Sequence, residues 1–299
     1  MADDKQDGWL AAPLPAGKPA EIDTSVAHPA RVYDYWLGGK DNFTADREAG
    51  DRVLAATPGL RERVRANRAF LVRAVRYLAA EAGIRQFLDI GTGIPSANNT
   101  HEVAQQTAPD SRIVYVDNDP IVLTHARALL AGGPMGSIQY IDGDVRDVAS
   151  ITRAAARTLD FTQPTALLLL GILHLIQDAE GPYEIVARLM DALPSGSYLA
   201  ISHPASDIHP GQAEAQRQYN ERVSTPQTLR TRAEVSRFFE GLDLVPPGLV
   251  YVHTWRPGPD DIVPPDGVSA YGGAAPGALQ VGKGRIGPAA GQGLRATPP

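Results

Sequence analysis

The sequence predicts an α/β protein with a doubly wound, mostly parallel sheet and a helical addition before it. From residue 84 onward, short and continuous apolar runs alternate with helical segments, which is typical of a parallel sheet covered on both faces. Three successive strands end in acidic residues or glycines, and the carboxyl ends of parallel strands meet at one edge of a sheet. Residues 28–83, in contrast, have helical periodicity and no convincing strand.

The composition narrows the class of protein. Apolar residues make up 43% of the 299 residues and charged residues 21%, which is ordinary for a globular protein. The net charge of −6 gives no general reason to expect nucleic acid or an anionic membrane as a partner. The absence of cysteine excludes disulfides, cysteine nucleophiles and thiolate metal sites, and we assign no metal ligands. Because neither a secretory signal nor a membrane-spanning run is found, we expect a cytoplasmic protein.

The two ends of the chain differ from its middle. Residues 1–27 contain several prolines and no sustained periodicity, which predicts a loose arm. Residues 274–299 are mostly Gly, Ala and Pro, and such a segment buries too little apolar surface to offset its ordering entropy. We therefore expect a disordered tail there, a helical cap at 28–83 and the sheet-bearing core at 84–273.

The cap should contain an amphipathic helix that begins near Leu60. One stripe of that helix is apolar, formed by Leu60, Val64, Leu71, Val75 and Leu78. A neighbouring face is basic, formed by Arg61, Arg65, Arg68 and Arg76. This basic face is either solvated or turned toward an anionic substrate.

The core elements follow in order along the chain. Strands are expected at residues 86–90, 112–116, 137–141, 166–170 and 197–202. Helices are expected at residues 99–106, 119–130, 148–157, 182–194 and 228–240. Asp119 before Pro120 is typical of a helix cap followed by proline in the first turn, where no amide is needed. An antiparallel edge strand is expected at Leu244–Trp255 and a last strand at Val268–Gly272.

The strand ends carry the residues of a nucleotide-type cofactor site. Gly91 and Gly93 follow the first strand and allow a tight turn with close approach of a ligand to the backbone. Asp117 ends the second strand, where a carboxylate can accept both hydroxyls of a ribose. Asp144 follows the third strand and is placed to accept a hydrogen bond from an exocyclic amine such as that of adenine.

The loop after the first strand disfavours a dinucleotide. A dinucleotide fingerprint has a third glycine, and here that position is Ser96, preceded by Pro95. Asp117 lies 26 residues beyond Gly91, further than the usual distance of about 20. The intervening residues also delay the helix whose N-terminus would bind a pyrophosphate. Adenosine without a diphosphate fits better, and an NAD-dependent oxidoreductase remains the weaker alternative.

Several motifs together resemble a known family. D-I-G-T-G, V-D-N-D-P and D-G-D-V, at 89–93, 116–120 and 142–145, resemble the class I S-adenosylmethionine-dependent methyltransferases. The segments at 29–43, 67–71 and 85–95 more closely resemble an actinobacterial family of S-adenosyl methyltransferases formerly catalogued as a domain of unknown function. The similarity extends from about His28 to Trp255. It implies a Rossmann-like sheet of seven strands, S-adenosyl-L-methionine as cofactor and S-adenosyl-L-homocysteine as product.

The resemblance also implies which residues bind the cofactor. The set consists of Asp89, Gly91, Thr92, Gly93, Asp117, Asn118, Asp144, Val145 and Gly171. The loop at 89–93 would line the methionine end, Asp117 would hold the ribose, and Asn118, Asp144 and Val145 would surround the adenine. The wider class often has a third glycine where this chain has Pro95, which leaves the path of the loop open.

Residues 28–50 are expected to cover the cofactor. From this segment we select Tyr33 as a cofactor contact, because an aromatic face favours a sulfonium cation. In the alternative interpretation, Tyr33, Trp36 and Phe43 are core contacts of a helix pair.

Two histidines follow strands that end near the expected methyl group. His174 and His203 are candidate general bases, since a histidine titrates near neutral pH. His174 could instead be a packed residue among apolar neighbours. The amino-methylating signature N/D-P-P-Y/F/W is absent, which disfavours DNA bases as acceptors. We therefore expect an S-adenosylmethionine-dependent methyltransferase with a small-molecule O or N acceptor, or alternatively a non-catalytic protein that binds this cofactor.

Overall fold

The computed structural model describes residues 22–57, 59–122, 124, 138–208, 216–217, 220, 225–258, 261 and 270–277. Most of the expected arm, most of the tail and the second half of the helix expected to reach residue 130 lie outside these described residues. Within them, no helix is both long enough and apolar enough to cross a bilayer.

A seven-stranded sheet forms the centre of the molecule. Its strands are β1 Gln86–Ile90, β2 Arg112–Asp117, β3 Ile138–Asp142, β4 Ala166–Leu170, β5 Tyr198–Pro204, β6 Val250–Tyr251 and β7 Ala270–Pro276. The strand order is β3-β2-β1-β4-β5-β7-β6, with β1 to β5 parallel and with β7 and β6 antiparallel to their neighbours. The chain reverses direction across the sheet between β1 and β4, which is where ligands bind in open α/β sheets. The predicted fold class is confirmed.

Helices precede and flank the sheet. They are α1 Pro29–Leu37, α2 Thr44–Ala56, α3 Leu60–Ala80, α4 Thr100–Thr107, α5 Val148–Ala155, α6 Pro182–Asp191 and α7 Arg232–Ser236. The first three form the expected helical addition. A helical turn also begins at Pro120, and its N-terminus is capped by Asp119 as predicted, since Asp119 Oδ1 accepts the Ile121 amide at 2.9 Å.

The two faces of the sheet bury different helices because successive strand residues point to opposite sides. Phe87 of β1 packs on the face that carries α3 and α4, whereas Leu88 packs on the face that carries α5 and α6. The apolar stripe of α3 is buried as expected at Val64, Leu71, Val75 and Leu78. This burial packs α3 against one face of the sheet.

The arginines on the basic face of α3 have two roles: some are solvated and others bind neighbouring segments. Arg65 and Arg76 are exposed, as a solvated face requires. Arg61 donates to the carbonyls of Tyr35 and Trp36 at 3.3 Å, and thereby ties α3 to α1. Arg68 donates to the loop at 97–99, including Asn99 Oδ1 at 2.9 Å.

The antiparallel end of the sheet differs from the expectation in its boundaries. Of the strand expected at 244–255, only β6 forms, because Pro246 and Pro247 stand in a turn and a 3₁₀ turn follows at 252–254. The strand β7 reaches Pro276 and so includes three residues that composition assigned to the tail. Ala274 and Ala275 are fully buried there.

A neighbouring residue of β7 shows why small residues occur in this strand. Gly272 lies against the ring of Phe70 on α3, and a Cβ at that position would stand 2.8 Å from Phe70 Cζ and 3.0 Å from Val252. Small residues are therefore required by close packing rather than indicating disorder. At the other end, Arg31 donates to the carbonyls of Asp23 and Val26, so ordered contacts also begin before residue 28.

We predict that Gly272→Ala destabilises the protein by about 1 to 3 kcal/mol, since the added methyl group overpacks the contact between β7 and α3. Urea unfolding of the single variants and of Gly272→Ala combined with Phe70→Leu measures the effect. Because leucine is smaller than the Phe70 ring, the double variant should recover part of the lost stability. Stability changes that are strictly additive would contradict the proposed overlap.

Candidate functional site

A cavity of about 540 Å³ opens at the carboxyl edge of the parallel strands, beneath α1 and α2. This volume lies in the range of small-molecule sites. The cavity is lined by every cofactor residue predicted from the sequence and by one of the two candidate bases: Tyr33, Asp89, Gly91, Thr92, Gly93, Asp117, Asn118, Asp144, Val145, Gly171 and His174. His203 does not line it.

The loop after β1 takes its path from two glycines. Gly91 and Gly93 have φ of 73° and 68°, a region that other residues rarely adopt. The Gly91 amide donates to Val116 O at 2.8 Å, and a Cβ on Gly91 would overlap Ile172. Nothing stands within 4 Å of the corresponding position on Gly93, so the loop presents bare backbone to the cavity there.

The carboxylate of Asp117 connects this loop to the end of β2. Its Oδ2 accepts the Gly93 amide at 2.8 Å, and its Oδ1 accepts the Asp119 amide at 2.9 Å. Burial raises the pKa of Asp117, while the two amides oppose that shift. A carboxylate has about four acceptor positions, so two remain for donors that enter from the cavity.

Asp89 is a second carboxylate on the cavity wall. It is buried and accepts the hydroxyl of Thr100 at 2.6 Å. Burial raises the pKa of Asp89 to about 6, against the hydrogen bond from Thr100 and the charge of Arg68. Asp89 is therefore largely ionised at neutral pH, and it makes this end of the cavity favourable for a cation.

The opposite end of the cavity is formed by the turn after β3. Val145 is buried, whereas Asn118 is exposed. Asp144 accepts from Arg146 at 3.0 Å, and Arg146 also pairs with Glu180 at 2.7 Å. The sequence motifs gave no indication of this ion-pair network, because Glu180 comes from a segment 34 residues after Arg146.

The aromatic residues of α1 combine the two interpretations offered above. Tyr33 and Trp36 both line the cavity, and both make hydrogen bonds within the protein. Trp36 Nε1 donates to Gly50 O at 3.2 Å, and the Tyr33 hydroxyl donates to Val64 O at 3.3 Å. Burial raises the pKa of Tyr33. Phe43 instead packs with Ile94 beside the cavity and is a core contact.

A polar cluster, formed by the half-buried His28 and the buried Arg31, Asp46 and Asp119, fastens α1 and α2 to the sheet edge. His28 Nδ1 lies 2.8 Å from Asp119 Oδ2 and 3.3 Å from the Ala30 amide; one ring nitrogen cannot serve both, and the shorter contact to the carboxylate is the stronger one. Asp46 accepts the His28 amide at 2.9 Å, and Arg31 Nε lies 3.5 Å from Asp46.

This cluster keeps Asp119 ionised. Burial alone would raise the pKa of Asp119, but the hydrogen bond and charge of His28, the Ile121 amide and the charge of Arg31 lower it below its usual value. The motif at Asp119 predicted a helix N-cap but gave no sign of its second role, in which Asp119 anchors the segment at 28–83 to the sheet edge.

His174 lies in a 3₁₀ turn directly after β4 and lines the cavity. Its Nδ1 is buried and has no hydrogen-bond partner among the described residues. Burial, followed by the charge of Arg230, lowers the pKa of His174 to about 4. The ring is therefore neutral at pH 7 and can accept a proton.

His203 does not have the geometry of a base, contrary to the expectation from its place after β5. It is fully buried, its Nδ1 lies 2.7 Å from Pro204 O, and its Nε2 accepts from Arg230 at 2.9 Å. Both ring nitrogens are thus used within the protein. Burial, with the neighbouring His174 and Arg230, holds the pKa of His203 well below its usual value.

Arg230 is the residue that sequence analysis missed at this site. It is 1% exposed and also donates to the carbonyls of Leu173 and Ile176, each at 2.9 Å, and to Asp178 at 2.7 Å. These bonds fix both ends of the turn that carries His174.

Comparison with known proteins yields a consistent assignment. A family profile described as S-adenosyl methyltransferase matches residues 15–277. A crystal structure of a DUF574 family protein from Streptomyces avermitilis MA-4680 has 49% identity and a TM-score of 0.81, covering 86% of this chain and 100% of that one. A candidate methyltransferase from Thermobifida fusca YX has 42% identity and a TM-score of 0.79, and the match covers 88% of this chain and 99% of that one. Comparison with curated proteins finds no match.

We predict that His174 makes stability fall as the pH decreases. Its pKa of about 4 in the folded protein is below the unfolded value of about 6.5, so the unfolded state binds the extra proton between these values. The contribution of His174 is complete above about pH 6.5 and is lost toward pH 4, by up to about 1.4 kcal/mol per pH unit.

Urea unfolding of wild type and His174→Gln at pH 7, 6 and 5 measures this contribution. Titrating groups that do not interact with His174 are common to both proteins and cancel in the difference. The part of the His203 pKa shift that His174 causes is lost in the variant, and this loss changes the slope in the same direction. The variant should lose stability less steeply, and parallel curves would contradict the prediction.

Proposed function

The chain belongs to the S-adenosyl methyltransferase family, and we propose that its cavity holds S-adenosylmethionine along the sheet edge and presents it to a small-molecule O or N acceptor. The observation that carries this proposal is the convergence of the whole predicted cofactor set, together with the neutral His174, on one cavity. The confirmed family makes an NAD-dependent oxidoreductase untenable.

The residues present fit the cofactor in charge and hydrogen-bonding capacity. Asp117 would hold the ribose, since its carboxylate retains acceptor positions on the cavity side. Asp89, Gly91 and Gly93 would line the methionine end, where an ionised carboxylate and bare backbone suit a zwitterionic group. Val145 would pack on the adenine, with Asn118 beside it.

Asp144 differs from its expected role in one respect. Its carboxylate is already paired with Arg146, so an adenine amine would share it with that guanidinium. We therefore assign Asp144 a weaker part in cofactor binding than Asp117.

The chemistry divides between cofactor and protein. When bound, S-adenosylmethionine supplies an electrophilic methyl group on its sulfonium sulfur. His174 would accept the proton that an O–H or N–H acceptor must lose. A base with a pKa of about 4 is weak, but the acceptor heteroatom becomes strongly acidic as its bond to carbon forms, so a weak base suffices.

The acceptor side of the cavity supports a small, partly apolar substrate. Its wall contains Trp36, Val53, Leu71 and Ile172, and the exposed side chains of Glu48 and Arg52 lie at the rim on α2. The cap covers the sheet edge, which would exclude water while the acceptor is positioned.

We predict that Asp117→Ala weakens binding of S-adenosylhomocysteine by more than tenfold, because the ribose loses charge-assisted hydrogen bonds. Isothermal titration calorimetry measures the affinity, and thermal unfolding verifies that the variant is folded. Asp142→Ala is the matched control: Asp142 is the exposed register partner of Asp117 on β3, and its loss should change affinity less than twofold. Equal affinities for wild type and a folded Asp117 variant would remove Asp117 from the site.

A methyl-donor screen tests the enzymatic role. The protein is incubated with methyl-labelled S-adenosylmethionine and a fractionated metabolite extract. For an acceptor that loses a proton, His174→Gln should lower kcat by about 10² or more without changing affinity for S-adenosylhomocysteine more than twofold. Wild-type kcat should not vary with the ionisation of His174 above about pH 5, since its pKa is about 4. An undiminished kcat in the variant would exclude His174 as the base.

A further inference from the structure

One buried polar atom on the cavity wall has no partner. Asn67 lies on α3 and lines the cavity, and its Oδ1 is buried without a hydrogen bond among the described residues. Leaving a buried acceptor unsatisfied costs about 1 to 3 kcal/mol. Because Asn67 is among the residues that line the cavity, a ligand bound there could supply the missing donor.

The orientation of this amide is fixed by its neighbours. Asn67 Nδ2 donates to the hydroxyl of Tyr33 at 2.9 Å, and that hydroxyl donates to Val64 O at 3.3 Å. Because the Tyr33 hydroxyl gives its single proton to Val64, it can only accept from Asn67. The amide oxygen is therefore the group left without a partner among the described residues, and it can only accept.

The surroundings of Asn67 indicate which part of a ligand it meets. A Cβ built on Gly171, directly after β4, would lie 3.4 Å from Asn67 Nδ2. The next residue, Arg68, interacts electrostatically with Asp89 and holds the loop that follows Gly93. Asn67 thus faces the end of the cavity at β1 and β4, which also carries the ionised Asp89.

We propose that Asn67 is a positioning residue whose Oδ1 accepts a hydrogen bond from the α-ammonium group of the cofactor's methionine portion. This inference rests on the proposed function and deepens it. An ammonium group offers three donors and makes charge-assisted bonds, and the carboxylate of Asp89 adds attraction at the same end. An amine or hydroxyl on the methyl acceptor has the same donor chemistry, and the experiment separates the two sources.

Two ligands that differ only in the amino-acid portion test the proposal. S-adenosylhomocysteine carries the ammonium group, and 5′-methylthioadenosine has the adenosine and thioether without it. Calorimetric titration of both is carried out on wild type, Asn67→Leu and Asn67→Asp, with thermal unfolding to verify the fold. Asn67→Leu should weaken the binding of S-adenosylhomocysteine at least tenfold and change the affinity for methylthioadenosine less than twofold. Asn67→Asp should bind S-adenosylhomocysteine at least as tightly as wild type, since an anion replaces a neutral acceptor.

Each other result overturns the proposal in a distinct way. Equal losses for both ligands would give Asn67 only a packing role. Unchanged affinity for both ligands would leave the methyl acceptor as the hydrogen-bond partner of Asn67. Selective loss in both variants would mean that the amide nitrogen meets the carboxylate instead. If wild type binds neither ligand, the proposed function fails rather than this assignment.

Discussion

The carboxylate of Asp117 is the constraint on which the rest of the site depends. It fastens the glycine loop through the Gly93 amide and the start of the next helical turn through the Asp119 amide. Burying a carboxylate is costly unless hydrogen bonds compensate, and here two backbone donors do so before any ligand is present. Asp119 then reaches His28, so the helical cap, the loop after β1 and the end of β2 form one connected polar unit. The shape of the cavity is thereby set by a short chain of buried charges.

The fold was predictable where local pattern decides it. β1 and β4 coincide with their expected ranges because each is a short, mostly apolar segment followed by a glycine, which is typical of a strand buried on both faces. The antiparallel end was less predictable, since it depends on contacts between distant segments. Ala274 and Ala275 look like part of a disordered composition until they are seen to be buried in β7, paired with β5. On the same strand Gly272 lies against Phe70, some 200 residues earlier.

The site was predictable to the extent that it lies at strand ends. A parallel sheet brings the residues after β1, β2, β3 and β4 to one edge, so motif order alone placed Asp89, Asp117 and Asp144 around one cavity. What motif order could not supply is the pairing of those groups. Arg146, the residue after the D-G-D-V motif, engages Asp144, and Arg230, which lies in a segment without any motif, organises the turn after β4.

The two histidines show why position is insufficient to assign chemistry. His174 and His203 follow adjacent parallel strands, and their ring centroids lie 6.2 Å apart. Arg230 separates their roles: its guanidinium occupies the Nε2 lone pair of His203 at 2.9 Å, whereas it acts on His174 only through its charge. A histidine whose lone pair is already shared cannot take a proton without breaking that bond, and the one left unshared faces the cavity. Our proposal of His174 as the base therefore depends on a buried arginine that donates to the ring of His203 and leaves His174 Nδ1 without a hydrogen-bond partner among the described residues.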